Sequence, residues 1–316
     1  MNRPNVSAAE LFAPKLQRNW DWRAATNFIT GGAGGGLLFV TAWASLGAGD
    51  VRAPVFVALA LVATGLLSVW FEIGRPWRAL KVFRHLSSSW MAREATVAAV
   101  LFITGALALW SNQRALIWLL GLAGAAFLYC QARMLTANKG IPAWRHPRCL
   151  PVMLSTGLTE GAGILAMSLA LPLATSSAAV AAALLALLLS RVICWRAYVS
   201  GLRADGAPQG TLKALQSIDV PFVAIGHVLP AALIVASWAM APAGAGAGNA
   251  IIAGVKAMIV AAGLLAVGSG WALKFTMVRR AAFTQGFALP HLPVRGRRMA
   301  DLGTQPGWSP VDRAPQ

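Results

Sequence analysis

The sequence predicts an all-α integral membrane protein that crosses a bilayer eight times. Residues of the types AVILMFWYC make up 57% of the 316 residues, and Asp, Glu, Lys and Arg only 12%, whereas soluble domains contain about 25% charged residues. The charged residues also cluster between long uncharged stretches. Because lipid holds no water to solvate a stray charge or a bare backbone group, this pattern favours a single helical bundle in a membrane.

Eight apolar stretches are each close to the roughly 20 residues that a helix needs to cross about 30 Å of hydrocarbon. They are rich in Gly and Ala and lack the two-residue alternation of β-barrel strands, which are about 10 residues long. Seven or nine helices are the nearest alternative counts. We expect an N-terminal cytoplasmic segment at 1–25, a bundle at 26–277 and a basic cytoplasmic tail at 278–316. The predicted helices are 26–46, 53–73, 94–110, 116–135, 150–175, 178–199, 220–240 and 250–277.

The basic residues predict the orientation of the bundle. Counted connection by connection, 24 of the 27 Lys and Arg residues fall on the face that holds both chain ends, including Arg191 and Lys274. The opposite face has only Arg52, Arg114 and Lys256. Since basic residues concentrate on the cytoplasmic side of membrane proteins, we expect both termini in the cytoplasm and the chain in a bacterial inner membrane.

The chain has a formal net charge of +17, and the excess of basic residues on this face can be explained in two ways. One is topology together with contact to anionic lipid. The other is a docking surface for a partner protein, because the second connection and the tail are longer than topology requires. The basic residues do not alternate with aromatic residues as in nucleic-acid-binding proteins, so nucleic acid is excluded as a partner.

Few residues are available to bind a cofactor. Cys130, Cys149 and Cys194 are far apart and form no CxxC motif, so neither a disulfide framework nor an iron–sulfur cluster in this chain is supported. A haem b site in a helical anchor generally needs two axial histidines on facing helices, and only His227 lies within a predicted helix. We therefore expect no haem and no metal in this chain.

The first apolar stretch contains a glycine cluster, Gly-Gly-Ala-Gly-Gly-Gly, at 31–36. No strand precedes it and no Gly-Lys-Ser/Thr follows it, so it is not a phosphate-binding loop. Gly31 and Gly35, like Gly32 and Gly36, are four residues apart, which favours close packing on a neighbouring helix. The alternative is a locally loosened helix beside a ligand, because glycine weakens helices.

The most unusual segment, 72–94, joins the second and third predicted helices. Its charged residues lie at the membrane boundary, where a charged side chain has a high free energy unless it forms an ion pair or takes part in the protein's function. Ser89 is a plausible cap for the third helix, with acid in the first turn. One interpretation is a capped turn with Arg–Glu pairs; the other is a polar pocket for the head of a lipid-soluble ligand, with a carboxyl that exchanges protons. The boundary charges are Glu72, Arg75, Arg78 and Glu94.

These segments resemble the polysulfide reductase/dimethyl-sulfoxide reductase membrane-anchor family. The matching features are the turn GRPWR at 74–78, the helix entry SWMARE at 89–94, the stretch IPAW at 141–144, and a glycine-rich first helix that contains Asn27. Elsewhere the likeness is one of hydropathy and spacing. Within the family the opening NWDWRAA at 19–25 is most similar to the membrane subunit of phenylacetyl-CoA:acceptor oxidoreductases.

The resemblance implies an anchor without a metal of its own. An iron–sulfur subunit would carry electrons between a molybdopterin catalytic subunit and this chain, where membrane quinone is the bound substrate. In relatives of the dimethyl-sulfoxide type, the positions matching Glu72, Arg78 and Glu94 belong to the quinone pocket, although Glu72 replaces a histidine of the best-known member. The predicted quinone-binding residues are Glu72, Arg75, Arg78, His85, Trp90 and Glu94.

The count of basic residues places segment 72–94 on the cytoplasmic side. Electrons must pass from the partner's iron–sulfur cluster to the quinone, so the cluster and the quinone must lie on the same face of the membrane. We therefore predict that the soluble partner subunits bind on the cytoplasmic face. Oxidation of an acyl-CoA such as phenylacetyl-CoA, or of sulfite, fits that placement. Glu160 and His227 lie within predicted helices and are the candidates for a proton path. A packing hydrogen bond is the alternative for Glu160, and it is the favoured interpretation for His227. A secondary transporter or a purely structural tether is the rival function.

Overall fold

The computed structural model describes residues 13–47, 50–71, 81–83, 85–168, 177–240 and 249–286, and these are predominantly helical. Helix α1 spans residues 22–44 and contains a π-helical segment, Asn27–Gly31. The prediction of an all-α protein is confirmed for this part of the chain. The remaining helices are α2 (Arg52–Trp70), α3 (Trp90–Ser111), α4 (Arg114–Thr136), the short α5 (Pro142–Arg145), α6 (Cys149–Ser168), α7 (Ser177–Ala204), α8 (Gln209–Ala239) and α9 (Asn249–Arg280).

Seven helices of the described chain are long and apolar enough to cross a membrane, namely α2, α3, α4, α6, α7, α8 and α9. The prediction of a multi-pass membrane protein is therefore confirmed. Helix α1 is not among the seven. Its segment Gly32–Ala44 holds four of its five glycines, and glycine adds little hydropathy per residue. The same segment is nonetheless among the most buried of the molecule.

Local sequence signals set the starts of two helices. The cap predicted at Ser89 is confirmed, although α3 begins at Trp90 and not at the predicted residue 94, and its first turn contains no acidic residue. Ser89 caps α3, and its side chain accepts a hydrogen bond from the Ala92 N–H at 3.4 Å. Asp21 caps α1 by accepting from the Arg23 N–H at 2.7 Å. Hydrogen bonds from the Arg23 side chain lower the pKa of the Asp21 carboxyl. Helix α8 begins well before the predicted residue 220, because its first turns are amphipathic rather than uniformly apolar.

Glycines set the distances between the central helices. A Cβ at Gly36 of α1 would overlap the carbonyl oxygen of Gly157 in α6, and one at Gly35 would lie 2.8 Å from the carbonyl oxygen of Gly124 in α4. The packing function predicted for the glycine cluster is thus confirmed. Small residues let two backbones approach closely, and this approach supplies van der Waals contact where lipid gives no hydrophobic drive.

We expect Gly36→Ala to destabilise the protein by about 1–3 kcal/mol, since the added methyl group meets a backbone atom that cannot move independently. Gly254→Ala on α9 is the matched control, because nothing lies within 4 Å of its Cβ position. Unfolding of both variants in the same detergent measures the difference. Equal stability of the two variants would contradict the packing argument.

Helices α1–α4 and α6–α9 repeat one packing arrangement. In each set the first helix packs on the fourth and on the second. Gly35 of α1 faces Gly124 of α4, and Gly163 of α6 likewise faces the carbonyl of Gly263 in α9. The two sets join where α1 crosses α6. The sequence had given no clear sign of an internal repeat.

The first and last described segments of the chain meet at one end of the bundle. Leu16 and Phe283 form an isolated antiparallel bridge, and Arg279 Nη1 donates to the Trp20 carbonyl at 2.9 Å. Two basic residues counted on this face, Arg191 and Lys274, instead lie fully buried inside the bundle. They therefore give no information about the orientation of the bundle. The other basic residues are still far more numerous on this face than on the opposite one.

Candidate functional site

A cavity of about 740 Å³ lies among α1, α2, α3 and the segment that precedes α3. Most of its wall is apolar or aromatic, and four polar side chains reach it: Asn27, Lys81, His85 and Glu94. Its volume falls within the roughly 300–1,000 Å³ of typical ligand pockets. The apolar part of the wall consists of Trp20, Ala24, Phe28, Leu66, Val69, Trp70, Val82, Phe83, Met91, Ala95, Ala98 and Met134.

Glu94 is the buried carboxyl of this cavity. It lies in the first turns of α3 and is only 3% exposed. The Asn27 side-chain amide donates to Glu94 Oε1 at 3.2 Å, and the amide of Gln131 in α4 also interacts with Glu94. A carboxyl that is surrounded by neutral amides and has no basic partner at hydrogen-bond distance among the described residues is suited to gain and lose a proton.

The π-helical segment of α1 aims Asn27 at Glu94. Gln131 Nε2 donates to the Asn27 carbonyl at 2.9 Å, a bond that the widened π turn makes possible, since π segments interrupt the regular backbone ladder. Gly65 of α2 makes room for the amide, because a Cβ there would lie 2.9 Å from Asn27 Oδ1. This turn of α1 is thus a locally loosened helix that borders the cavity.

The structure brings together two of the predicted quinone-binding residues, His85 and Glu94, in the cavity wall. Trp90 lies one turn before Glu94, but its ring stacks edge-on with Tyr129 and lies under the guanidinium of Arg93, 4.2 Å from the ring centroid. In the described chain it is beside the cavity and not part of its wall. The other three predicted residues lie outside the described residues: Glu72, Arg75 and Arg78.

A second polar cluster lies in the centre of the bundle. Lys274 of α9 donates to Glu160 Oε2 of α6 at 2.5 Å, and both side chains are fully buried. Arg191 of α7, equally buried, donates to His227 Nε2 at 2.9 Å and to the carbonyls of Gly226 and Ala266. His227 is therefore a hydrogen-bonded packing residue, as favoured from the sequence.

Sequence reasoning missed several of these residues. Lys274 and Arg191 were counted on the basic face that holds the chain ends, and Gln131 and Lys81 were given no function. A signal was present for the first two, since a basic residue within an apolar stretch marks a functional or paired position. Gln131 carried no such signal, because a lone amide on an apolar helix is common.

No known protein-family model matches the sequence, and no curated protein is significantly similar to it. The functional interpretation therefore depends on the cavity, its buried carboxyl and the resemblance of the segments that flank it.

Proposed function

We propose that the protein is the membrane anchor and quinone-reactive subunit of a molybdopterin oxidoreductase complex, one that oxidises a cytoplasmic substrate such as phenylacetyl-CoA. The observation that carries the proposal is the cavity in which Glu94, His85 and Lys81 share a wall with aromatic side chains. Glu94 and His85 are both among the quinone-binding residues predicted from the sequence.

The composition of the cavity wall supports a quinone as the ligand. A quinone has a flat ring, two carbonyl oxygens that accept hydrogen bonds, and an apolar tail. Trp20, Phe28 and Trp70 supply flat apolar surface for the ring. Lys81 and His85 are donors at the exposed side of the cavity, whereas Glu94 is buried. Convergent polar groups in an otherwise apolar pocket are typical of small-molecule sites.

The proposed chemistry is reduction of the quinone to quinol, which consumes two electrons and two protons. An iron–sulfur cluster of the docked partner would supply both electrons, one at a time. Glu94 in its protonated form hands a proton to one quinone oxygen, and water delivers the second proton to the other oxygen through the exposed His85. A positioned acid of this kind contributes about 10²–10⁴-fold to a rate.

The proposal includes the topology. Eight membrane-embedded helices are counted when α1, which is buried among the others, is added to the seven apolar helices. Both chain ends and the cavity then face the cytoplasm, as the basic residues favour. The meeting of the segments around Leu16 and Phe283 supports a common side for the ends. The iron–sulfur and molybdopterin subunits dock on this side.

Filling the cavity tests the proposal. We expect Ala95→Phe to weaken quinone binding at least about 10-fold, because the phenyl ring occupies space in the cavity wall. Ala99→Phe is the matched control, one turn further along α3 and exposed. Quenching of tryptophan fluorescence by a short-tailed ubiquinone or menaquinone analogue, added to the full-length protein in nanodiscs, measures the affinity.

Equal affinity of the two variants, or no saturable quenching in the unchanged protein, would contradict a quinone site in this cavity. Solute flux through vesicles containing this chain alone would instead support the transporter. Both variants should retain the unfolding temperature of the unchanged protein, which separates a blocked cavity from a misfolded one.

A further inference from the structure

The central cluster carries more positive than negative charge. Glu160 lies within the influence of both Lys274 and Arg191, while the four groups that accept hydrogen bonds from Arg191 are the neutral His227, Ser269 and two backbone carbonyls. With one carboxylate and two cations, the cluster has a formal charge of +1. Unbalanced charge is costly inside a membrane protein, so the cluster calls for an anion nearby.

Glu94 is connected to this cluster through Asn27 and Gln131. The Asn27 side-chain amide donates to Glu94, and the Asn27 carbonyl accepts from Gln131 Nε2. On the other side of Gln131 a Cβ at Gly32 would lie 3.2 Å from Gln131 Oε1 and 2.6 Å from Lys274 Nζ, so both atoms border the same small space beside Gly32. Polar side chains thus lead from the cavity to the centre of the bundle, with one gap beside Gly32, where Gln131 Oε1 has no hydrogen-bond partner among the described residues.

We propose that the cluster of Glu160, Lys274 and Arg191 is a second proton-binding site, coupled to Glu94 through Gln131 and the space beside Gly32. An ionised Glu94 brings the formal charge of the four groups to zero. A proton that leaves Glu94 therefore changes the charge balance at Glu160 and Lys274, and a proton bound there changes the balance at Glu94. The coupling extends the proposed function, because it gives the quinone site a proton reserve inside the bundle.

Other charged groups near Glu94 have their own partners or are exposed. On α3, Arg93 donates to the carbonyls of Leu86 and Ser87. On α1, Arg23 binds Asp21. Arg133 of α4 lies over the ring of Trp90. Among the described residues, the remaining titratable neighbours of Glu94 are Cys130 of α4 and, across the cavity, Lys81 and His85.

Infrared difference spectroscopy of the full-length protein in nanodiscs, recorded between steps of pH, tests the coupling without quinone. The carboxyl bands are assigned by their loss in Glu94→Gln and in Glu160→Gln. We expect each substitution to move the pH midpoint of the other carboxyl by about one unit, which corresponds to an interaction of about 1.4 kcal/mol between the two charges. The two shifts should be equal, because coupling between two sites is reciprocal.

Gly32→Ala places a methyl group between Gln131 and Lys274 and should reduce the mutual shift without removing any ionisable group. Gly268→Ala on α9, where nothing lies within 4 Å of the Cβ position, is its control. Asp205→Asn, an exposed carboxyl at the end of α7, should move neither midpoint. A Glu160 band that does not respond to pH, or midpoints that are independent of each other, overturns the coupling. Neither result affects the quinone-binding measurement, so the two proposals fail separately.

Discussion

Replacing Glu94 with glutamine is expected to lower quinone-linked turnover of the assembled complex by about 100-fold or more. Glutamine keeps the size of the side chain and can still accept the hydrogen bond from Asn27, but it has no proton to give to a quinone. Loss of a positioned acid costs about 10²–10⁴-fold in rate. The measurement is substrate-driven reduction of a quinone analogue by the complex that is purified through a tag on this chain.

That preparation should contain a molybdopterin protein and a ferredoxin-like iron–sulfur protein. Asp205→Asn serves as the control, because it also removes one carboxyl but lies outside the cavity wall. Unchanged turnover in Glu94→Gln would favour a structural tether. Absence of both partner proteins from the preparation would remove the basis for the proposed complex.

Lys274→Met is expected to destabilise the protein by about 3–5 kcal/mol, because it leaves the fully buried Glu160 carboxylate without its ammonium partner. Methionine fills nearly the same volume, so the effect reports the charge rather than a cavity. Lys256→Met on the same helix is the control, since that lysine is exposed, and should change stability by less than about 0.5 kcal/mol. Denaturant unfolding in mixed micelles measures both variants.

A double-mutant cycle separates the pair from its surroundings. Glu160→Gln combined with Lys274→Met removes both charges, and the combined loss should be smaller than the sum of the single losses by about 1–3 kcal/mol. A loss of less than about 1 kcal/mol in Lys274→Met alone would show that Arg191 replaces the ammonium as the partner of Glu160.

The sequence predicted features that depend on a few neighbouring residues. The apolar stretches identified the helices, since the length of hydrocarbon to be crossed is fixed. Ser89 marked the start of α3, because a cap acts on N–H groups three residues away. Glu94 and His85 were recognisable because charged or titratable groups at a membrane boundary are costly and therefore conspicuous. The glycine cluster indicated close packing but not which helices would approach it.

Other features depended on residues distant in the chain. Lys274 and Glu160 are 114 positions apart, and neither position predicts the other. A lysine near the end of an apolar stretch can lie at the membrane surface or in a buried ion pair. The sequence does not distinguish the two, so Lys274 was counted with the basic residues of the membrane surface. The packing of α9 against α6, set by glycines on both helices, turns that lysine inward.

By itself the sequence determined that this is a helical membrane protein, because hydropathy and helix length follow from each segment alone. It also identified Glu94 as a carboxyl group at the membrane boundary. Only the tertiary structure decided that Asn27 contacts Glu94, that Trp90 lies beside the cavity, and that Lys274 pairs with Glu160 inside the bundle. The physical reason is that these positions follow from how closely helices from different parts of the chain can pack, and no single segment contains that information.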